Sequence, residues 1–459
     1  MGSGKPAHSA LEERAAAAST RDGIAATGMT SWTAGPGRPL RGTLDIPGDK
    51  SVSHRAIMLA SLADGTSRID GFLEGEDARA TERIFRQLGV SIEVPQAGSR
   101  IVHGVGIDGL CPSAAALDCG NAGTAMRLLA GLLAGQTFDS LLVGDASLSK
   151  RPMHRVTVPL SRMGARIDTG DGGVPPLQVR GGRPLQGIEY TADIASAQVK
   201  SALLLAGLFA KGTTTVIEPQ PTRDYTERML AAFDWPITFS PGRASVPGGH
   251  RLRATDVHVP ADFSSAAFFI VAATLVPGSE LRLRRVGMNP RRTGLLHVLR
   301  LMGADLTVET SQEQGGEPVA DLVVRHAPLQ GIEVPVEHVA DMIDEFPALF
   351  IAAACARGVT RVRGAAELRV KESDRIATVA AGLRNLGIRV DEAPDGARIH
   401  GGRLQGGRID SHGDHRVAMA FAVAAQCARD VVLIDDVANV ATSFPGFVEL
   451  GQAAGFGLT

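Results

Sequence analysis

Apolar runs about one helix long recur along the chain, and each follows a short polar segment. The runs are rich in Ala and Leu, and most of them end at a glycine that precedes a strand-like segment. Because a helix that is apolar on all sides is stable only in a protein interior, these runs predict buried helices. The six runs are RAIMLASLADG (ending at Gly65), MRLLAGLLAG (Gly135), KSALLLAGLFAKG (Gly212), AAFFIVAATLVPG (Gly278), PALFIAAACARG (Gly358) and RVAMAFAVAAQCARD, which lacks the glycine.

A second pattern alternates with the first. It is an amphipathic segment that ends in apolar-x-x-apolar-Gly, directly before a strand. Glycine is favoured there because it adopts the left-handed conformation that ends many helices. The copies end at Gly89, Gly164, Gly303 and Gly387, with weaker copies at Asp234 and Gly455.

Both patterns repeat with a period of about 70 residues, which predicts six units along the chain. Each unit holds one buried helix, one amphipathic helix and short strands such as LLVG, DLVVR and VVLID. Six units favour an α/β protein with two domains of three units each, with the sheets outside and the buried helices inside. Residues 1–35 lack the pattern and lack the apolar segment of a signal peptide, so we predict a flexible N-terminal tail there.

Composition narrows the class of protein. Lys and Arg number 47 and Asp and Glu 49, giving a net charge of −2. This balance argues against general binding of nucleic acid or of a membrane surface. The chain also lacks an apolar run of the length that spans a bilayer. Its four cysteines form no CxxC pair, which is typical of a reduced, cytoplasmic protein.

The residues directly before the six apolar runs carry most of the candidate chemistry. These segments read DKSVSHR, GNAGTAMR, SAQVK, ADFSS, DMIDEFP and HGDHR. Asp262 and Ser264 are ordinary helix caps. Several cations are not explained in this way, because a helix N-terminus is itself positive: Lys50, Arg55, Arg127 and Arg416. We therefore expect the helix starts to bind an anion.

Loops add further charges to this set. The additional cations are Lys150, Arg151, Arg223, Arg369, Lys371 and Arg375. Any one of them is commonly a solvated surface charge, whereas several together suggest more than one bound anionic group. Asp344 and Glu372 lie among these cations, either as ion-pair partners or as a general acid and base. His412 and His415 have no evident third ligand, so we predict no metal site.

Eight segments, in order, resemble the 3-phosphoshikimate 1-carboxyvinyltransferase (EPSP synthase) family. They are PGDKSVSHRA, GNAGTAMRLL, SKRPM, PPLQVRGG, SAQVKSALLLAG, DEFPALFIAAA, RVKESDR and GDHRVAMAFAVAA. SLSKRPM, KESDR and ATSFP are similar to its class II bacterial subgroup. The resemblance implies the two-domain enolpyruvyl transferase fold, with six βαβαββ repeats whose buried parallel helices give an inside-out α/β barrel-like arrangement. It also implies domains at residues 36–47 plus 261–459 and at residues 48–260.

The resemblance further implies transfer of the enolpyruvyl group of phosphoenolpyruvate to the 5-hydroxyl of shikimate 3-phosphate, with release of phosphate. This is a step of chorismate and aromatic amino acid biosynthesis. It would need no metal or organic cofactor and would be catalysed by a cytoplasmic monomer.

Residue roles follow from the same resemblance. Asp344 would take the hydroxyl proton, Glu372 would protonate the methylene carbon, and Lys50 would contact both substrates. The residues implied for shikimate 3-phosphate are Lys50, Ser51, Arg55, Ser196, Ala197, Gln198, Arg223, Asp344 and Lys371. Those implied for phosphoenolpyruvate are Lys50, Gly123, Arg151, Gln198, Arg375 and Arg416. Asn121 and Thr124 would shape their loop.

Two positions differ from the residue found in many family members, and a third varies between subgroups. Leu128 replaces a common Pro, and Thr442 replaces a common Lys. Gly123 stands where some class II members have Ala, which implies sensitivity to the inhibitor glyphosate.

Two alternatives remain open at this stage. One is the sister enzyme that acts on UDP-N-acetylglucosamine, which typically has Lys-Asn at the Lys50-Ser51 position and a loop cysteine. The other is a non-catalytic anion-binding protein of the same fold, against which the intact set of Lys50, Asp344 and Glu372 argues.

Overall fold

The computed structural model describes residues 31–314 and 316–459, so most of the predicted tail, residues 1–30, lies outside the described residues. The described chain divides into two compact units. The first unit is Lys50–Val259. The second joins residues 31–49, with strands β1 (Ser31–Gly35) and β2 (Arg41–Asp45), to Pro260–Thr459.

The first unit alternates helices with short strands. Its helices are α1 (Lys50–Leu62), α2 (Glu76–Gln87), α3 (Gly123–Ala134), α4 (His154–Arg162), α5 (Ala197–Gly207) and α6 (Tyr225–Ala232), with a 3₁₀ turn at Leu148–Lys150. Its strands are β3 (Ala63–Asp70), β4 (Ser91–Glu93), β5 (Ser99–Val105), β6 (Leu117–Asp118), β7 (Ser140–Val143), β8 (Arg166–Thr169), β9 (Leu177–Arg180), β10 (Glu189–Thr191), β11 (Thr213–Ile217), β12 (Thr238–Ser240), β13 (Arg243–Pro247), β14 (Leu252–Arg253) and β15 (Val257–His258).

The second unit has the same alternation. Its helices are α7 (Phe263–Leu275), α8 (Gly294–Leu301), α9 (Phe346–Cys355), α10 (Arg375–Asn385), α11 (His415–Ala425), α12 (Val440–Ser443) and α13 (Phe447–Ala454), with 3₁₀ turns at Val336–His338, Ala340–Met342 and Ala366–Val370. Its further strands are β16 (Glu280–Gly287), β17 (Asp305–Gln314), β18 (Glu317–Arg325), β19 (Val359–Val362), β20 (Val390–Ala393), β21 (Gly396–His400), β22 (Gly407–Asp410), β23 (Val432–Asp435) and β24 (Gly457–Leu458).

Each unit contains three small sheets of one recurring design. In the first unit the strand orders are β14-β3-β5-β4, β6-β7-β9-β8 and β10-β11-β13-β12, and β15 also pairs with β3. In the second they are β17-β18-β16-β2, β19-β21-β20 and β22-β23-β1-β24. In five of the sheets one outer pair is parallel and the other pairings along the given order are antiparallel, and β15 is a second strand parallel to β3. This is the pairing of a βαβαββ repeat, so the prediction of six repeats is confirmed.

Residues 31–45 complete two repeats of the second unit. β1 lies between β23 and β24, antiparallel to both, and β2 runs parallel to β16. Residues 31–35 were predicted to belong to the tail, and that part of the prediction is wrong. Trp32 and Ala34 are buried at alternate positions of β1. Trp32 also stacks on Phe447 at 5.5 Å between ring centroids.

The buried helices form the two hydrophobic cores. Almost every residue is buried in α1, α3 and α5 of the first unit and in α7, α9 and α11 of the second. This confirms the six predicted buried helices. Close approach is visible at Gly131 of α3, where an added Cβ would lie 2.1 Å from the carbonyl oxygen of Ala202 on α5. No helix in the described part of the chain is long and apolar enough to cross a membrane.

The amphipathic segments also form helices that end where the second pattern predicts. All six end positions have a positive φ, as a left-handed turn requires. The φ angles are 91° at Gly89, 101° at Gly164, 64° at Asp234, 99° at Gly303, 83° at Gly387 and 123° at Gly455.

Candidate active site

Lys50 is the first residue of α1. Its Nζ lies 2.9 Å from Oδ2 of Asp77 on α2, and its side chain remains 18% exposed. The carboxylate offsets the repulsion that the cation meets at a positive helix end. Ser51, the next residue, is half-buried. Lys50 is therefore fixed in direction but remains accessible to a ligand.

Arg55 connects α1 to two other helices. It is 4% exposed, its Nε donates to Oγ1 of Thr226 at 2.7 Å, and its Nη2 donates to Oγ of Ser201 at 2.8 Å. Its Nη1 donates to the carbonyl oxygen of Ser51 at 2.9 Å. These partners are neutral, so the guanidinium is oriented by them while its charge is not neutralised by them.

The starts of α3 and α5 are joined by side chains. Nη1 of Arg127 donates to Oε1 of Gln198 at 2.8 Å, and Nε2 of Gln198 donates to Oγ1 of Thr124 at 2.9 Å. Ser196 is the N-cap of α5, with its hydroxyl 3.5 Å from the N–H of Val199, and Ala197 is the first residue of that helix. The structure thus places the predicted residues Ser196, Ala197 and Gln198 next to the segment GNAGTAMR.

Arg151 is held at the same helix start. Its Nη2 donates to Oδ1 of Asn121 at 2.8 Å, and Nδ2 of Asn121 in turn donates to Oδ2 of Asp145 at 2.7 Å. Asn121 therefore shapes its loop, as the family resemblance implied. A Cβ added at Gly123 would lie 2.9 Å from Nη1 of Arg127 and 3.2 Å from Nη1 of Arg151. Gly123 thus leaves space in front of two guanidinium groups.

The remaining loop cations differ in their surroundings. Arg223 is half-buried two residues before α6, and Lys150 is exposed. Arg369 donates to the carbonyl oxygens of Ala393 and Pro394 at 2.7 and 2.8 Å, and it pairs with Asp374 at 2.6 Å. These contacts indicate that Arg369 stabilises the local backbone.

His54 is completely buried within α1. Its Nδ1 lies 2.7 Å from Oγ1 of Thr81, and its Nε2 has no hydrogen-bond partner among the described residues. Burial and the charges of Lys50 and Arg55 lower the pKa of His54 to about 3. His54 is therefore a neutral supporting residue, which agrees with its absence from the predicted site.

Replacing His54 with Gln is expected to reduce the loss of stability in acid. Its pKa is about 3 in the folded chain against an ordinary value of 6.5, so the unfolded chain binds the proton first. Its stabilising contribution is complete above pH 6.5 and is lost as the pH falls towards 3. Urea unfolding at pH 7 and pH 5 should show the parent losing about 2 kcal/mol more than His54→Gln. Equal losses, with His103→Gln as the exposed control, would contradict a neutral His54.

In the second unit, Asp344 lies among cations. Its Oδ1 is 3.5 Å from Nζ of Lys371 and 3.6 Å from Nη1 of Arg375, and its Oδ2 is 3.9 Å from Nη1 of Arg292. Nearby positive charges favour the ionised form of a carboxyl group. The side chain is 14% exposed, so a ligand can reach it.

Arg375 is shared by three carboxylates. It is 1% exposed, its Nε lies 2.8 Å from Oδ2 of the fully buried Asp414, and its Nη2 lies 2.5 Å from Oε2 of Glu372. Burial disfavours its charge, but Asp414, Glu372 and Asp344 outweigh burial and raise the pKa of Arg375 above its usual value. The structure thus places the two predicted carboxyl groups, Asp344 and Glu372, beside the same guanidinium group, that of Arg375.

The three buried helix starts of this unit are also joined. Nη1 of Arg416 on α11 donates to the carbonyl oxygen of Asp344, just before α9, at 3.2 Å. The hydroxyl of Ser264 on α7 donates to Oε1 of Glu345. Asp414 caps α11 through the N–H of Arg416 at 2.9 Å. In each unit, therefore, the polar segments predicted to hold the chemistry are connected to one another.

Comparison with known proteins adds independent information. The family model described as EPSP synthase (3-phosphoshikimate 1-carboxyvinyltransferase) matches residues 35–450. The chain belongs to the EPSP synthase family.

Named relatives cover most of the chain. The 3-phosphoshikimate 1-carboxyvinyltransferase of Xanthomonas campestris pv. campestris (strain B100) is 69% identical over 428 residues, which is 93% of this chain and 98% of the relative. That of Xanthomonas axonopodis pv. citri (strain 306) is 69% identical over 427 residues, which is 93% of this chain and 97% of the relative.

Solved structures have the same fold. The EPSP synthase of Acinetobacter baumannii matches with a TM-score of 0.84 and 51% identity, covering 94% of this chain and 99% of that one. The enolpyruvyl transferase NikO of Streptomyces tendae matches with a TM-score of 0.77 at 18% identity, covering 94% and 99%, and this likeness concerns the fold alone. The predicted enolpyruvyl transferase fold is confirmed.

In this EPSP synthase family member, the sequence did not predict the role of Arg292, whose Nη1 lies 3.9 Å from Oδ2 of Asp344. Arg292 is 4% exposed, and its Nη2 donates to Oδ1 of Asp262 at 3.1 Å and to Oγ of Ser264 at 2.5 Å. Its Nε lies 3.7 Å from Glu345, whose pKa is raised by burial against the opposing charge of Arg292. Asp262 and Ser264 are therefore more than the caps that were predicted. The only sequence signal was the pair of arginines in NPRRTG.

A second missed group lies within the first unit. Nζ of Lys200 on α5 is buried 2.8 Å from Glu218 and 2.8 Å from Glu227, and it lies 3.3 Å from the carbonyl oxygen of Thr222. Because Thr222 precedes Arg223, this buried group fixes the backbone of the loop that carries a predicted substrate residue. No group of three His, Cys, Asp or Glu side chains in the described ranges is arranged to hold a metal ion.

Proposed function

We propose that the chain transfers the enolpyruvyl group of phosphoenolpyruvate to the 5-hydroxyl of shikimate 3-phosphate, releasing phosphate, as a step of aromatic amino acid biosynthesis. Membership of the EPSP synthase family supports this reaction. The observation that carries the proposal is the arrangement of Asp344 and Glu372 on opposite nitrogens of Arg375, at 3.6 and 2.5 Å.

The charge of the substrates supports the choice of ligands. Phosphoenolpyruvate and shikimate 3-phosphate together carry two phosphates and two carboxylates, which calls for several cations. At about 4 Å one ion pair is worth about 4 kcal/mol at an effective dielectric constant near 20, against about 1 kcal/mol in water. We assign shikimate 3-phosphate to Lys50, Ser51, Arg55, Ser196, Ala197, Gln198, Arg223, Asp344 and Lys371. We assign phosphoenolpyruvate to Lys50, Gly123, Arg151, Gln198, Arg375 and Arg416.

The reaction begins with addition across the double bond. Asp344 takes the proton of the 5-hydroxyl while that oxygen bonds to C2 of phosphoenolpyruvate. The electron pair of the double bond takes the proton of Glu372 at C3, which becomes a methyl group. Addition gives a tetrahedral intermediate that still carries the phosphate. Two carboxyl groups in opposite protonation states are what this step needs.

Elimination then reverses the protonation at carbon. Glu372, now ionised, takes a proton back from the methyl group, the double bond re-forms between C2 and C3, and the C2–O bond to phosphate breaks. Asp344 retains the hydroxyl proton until phosphate or water removes it. No redox change occurs, so the reaction requires no electron carrier.

Arg375 explains how Glu372 can act as an acid. Its Nε is fixed by Asp414, and its Nη2 faces Glu372. An anion bound to Arg375 would offset part of its positive charge. Arg375 would then stabilise the ionised form of Glu372 less strongly. Glu372 would then take up a proton when phosphoenolpyruvate is present, which is when the proton is needed.

We also propose the remaining properties of the enzyme. It works without a cofactor, as a cytoplasmic monomer. Its functional domains are residues 36–47 with 261–459 and residues 48–260.

The proposed reaction is tested by phosphate release from phosphoenolpyruvate. We expect turnover with shikimate 3-phosphate and none with UDP-N-acetylglucosamine. Turnover with the sugar nucleotide would favour the sister enzyme instead. Failure with both acceptors, in a chain that still binds them, would favour a non-catalytic protein of this fold.

Replacing Glu372 with Gln is expected to lower kcat about 10²-fold. The neutral amide cannot donate a proton to C3, although water reaches this partly exposed position. In D₂O the parent should introduce deuterium into the methylene group of the product, and the variant should lose this incorporation with its turnover. Asp374→Asn is the matched control, because Asn can still cap α10. Unchanged incorporation in Glu372→Gln would remove Glu372 from the acid role.

Replacing Gly123 with Ala is expected to raise KM for phosphoenolpyruvate about 10-fold. The new methyl group would displace Arg127 and Arg151, whose Nη1 atoms lie 2.9 and 3.2 Å from the added carbon, at a cost of about 1–3 kcal/mol. KM for shikimate 3-phosphate should stay near that of the parent. Glyphosate should inhibit the parent at micromolar concentrations and Gly123→Ala much less. Millimolar inhibition of the parent would contradict the role of Gly123.

A further inference from the structure

Lys200, Glu218 and Glu227 form a buried ion group between α5 and α6 of the first unit. Nζ of Lys200 lies 2.8 Å from Oε2 of Glu218 and 2.8 Å from Oε1 of Glu227, and none of the three side chains is more than 4% exposed. Burying such a group is costly, and apolar residues of similar volume are often as stable. The ion group is therefore better explained by what its directional contacts hold in place.

Thr222 is held by this ion group at three points. Its hydroxyl donates to Oε1 of Glu218 at 2.5 Å, and its N–H donates to Oε2 of the same carboxylate at 3.4 Å. Its carbonyl oxygen accepts from Nζ of Lys200 at 3.3 Å. Glu218 is itself fixed directly after β11, because its N–H donates to the carbonyl oxygen of Gly242 at 2.8 Å. The peptide groups on both sides of Thr222 are thus held in one orientation, and the second of them leads into Arg223.

The same two helices also orient Arg55. Ser201 follows Lys200 on α5, and Thr226 precedes Glu227 on α6. The hydroxyl of Thr226 donates to Oγ of Ser201 at 2.8 Å, and the two oxygens accept from Arg55 at 2.7 and 2.8 Å. Because the ion group joins α5 to α6 next to these hydroxyls, it also fixes the spacing on which the bonds to Arg55 depend.

We propose that Lys200, Glu218 and Thr222 position Arg223, and that this positioning sets the affinity for shikimate 3-phosphate. The inference rests on the proposed function, in which Arg55 and Arg223 bind that substrate. A guanidinium group that is oriented beforehand binds an anion more tightly, because less conformational freedom is lost on binding. The three residues are positioning residues that act through Arg223. Binding of phosphoenolpyruvate should not depend on them, because neither arginine is assigned to it.

The test compares Thr222→Val with the parent, both as the full chain. Valine keeps the shape of threonine but cannot donate to Glu218, while the ion group itself is unaltered. Calorimetric titration with shikimate 3-phosphate should give a Kd about 10-fold higher than that of the parent. In phosphate-release assays, kcat and KM for phosphoenolpyruvate should stay within about 3-fold of the parent. Thr222→Ser, which keeps the hydroxyl, should have the Kd of the parent.

Thr215→Val is the matched control. Thr215 and Thr222 are both 8% exposed, and the hydroxyl of Thr215 lies 2.8 Å from Oγ of Ser245 on the neighbouring strand. Loss of this hydroxyl should leave the Kd for shikimate 3-phosphate unchanged. Arg223→Met tests the route of the effect. In the Arg223→Met background, Thr222→Val should raise the Kd no further, because the side chain that Thr222 positions is already absent.

Three results would overturn the inference. The first is an equal Kd for shikimate 3-phosphate in the parent and in Thr222→Val. The second is a parallel rise in KM for phosphoenolpyruvate, which would indicate a general disturbance of the unit. The third is a further rise of the Kd in the Arg223→Met background, because Thr222 would then act by another route.

Failure of the proposed function gives a different result. A parent that does not bind shikimate 3-phosphate would overturn that function and this inference together, whereas a parent that binds it and a variant that binds it equally well would overturn the inference alone. Thr222→Val is preferred to Lys200→Met, because Lys200→Met would leave two buried carboxylates without their cation and is expected to destabilise the unit.

Discussion

Replacing Asp344 with Asn is expected to lower kcat about 10³-fold and to leave the fold and the binding of both substrates largely intact. Asn keeps the volume and the polarity of the side chain but cannot accept the hydroxyl proton. Three cationic side chains lie within 4.0 Å of this carboxylate, and in our proposal its ionised form is the base that takes the hydroxyl proton.

The effect on binding should be small because Asp344 is not a main source of affinity in this proposal. Arg292, Lys371 and Arg375 each have another carboxylate nearby, so loss of Asp344 does not leave a buried cation without a partner. Calorimetric titration with shikimate 3-phosphate should therefore give a Kd close to that of the parent, while kcat from phosphate release falls.

Asp341→Asn provides the matched control for this experiment. Asp341 lies three residues upstream, is buried to a similar degree and pairs with Arg291 at 3.3 Å. It removes the same charge from the same loop, and kcat should stay within about 3-fold of the parent. A comparable loss in both variants would indicate a general disturbance of the loop. A normal kcat in Asp344→Asn would exclude this residue as the base.

The repeats were predictable because their signal is strong and local. A helix such as α7 is apolar on every side, and a segment such as residues 79–89 is amphipathic and ends in a left-handed glycine. Such patterns can be recognised without knowing any partner. β1 was missed because its five residues, SWTAG, are too few and too small for the alternation of Trp32 and Ala34 to stand out.

The candidate site was predictable only in part. Cations are unfavourable at the positive N-terminal end of a helix. Their presence there identified Lys50, Arg55 and Arg416 as candidate site residues. Arg292 gave no such signal, because it lies in the loop before an amphipathic helix and its partners are distant in sequence. Asp262 is 30 residues away and Glu345 is 53 residues away, so only the fold brings them together.

The two family departures have different structural meanings. Leu128 is completely buried in α3, where an apolar side chain fills the core. Thr442 is half-buried, and its hydroxyl donates to the carbonyl oxygen of Asn439 at 2.7 Å. It therefore serves its own short helix and does not replace the charge of the Lys found in other family members.

Replacing Arg375 with Met is expected to destabilise the second unit by about 3–5 kcal/mol. Asp414 is fully buried, and Arg375 reaches it through two contacts, Nε to Oδ2 at 2.8 Å and Nη2 to Oδ1 at 3.3 Å. Met fills the space of the side chain but leaves the carboxylate without its buried cation. Urea unfolding should show this loss whether or not Arg375 also binds phosphoenolpyruvate.

A second substitution distinguishes a buried charge from a general loss of packing. Asp414→Asn in the Arg375→Met background removes the stranded charge and keeps the cap, because Asn can still accept from the N–H of Arg416. The double variant should regain about half or more of the lost stability.

The surface pair formed by Arg384 and Glu392 is the matched control. These side chains are 44% and 28% exposed and lie 2.8 Å apart. Arg384→Met should cost less than about 1 kcal/mol. If Arg375→Met cost no more than Arg384→Met, or if Asp414→Asn lowered the stability of Arg375→Met further, Arg375 would not be the buried counter-ion on which this arrangement of carboxylates depends.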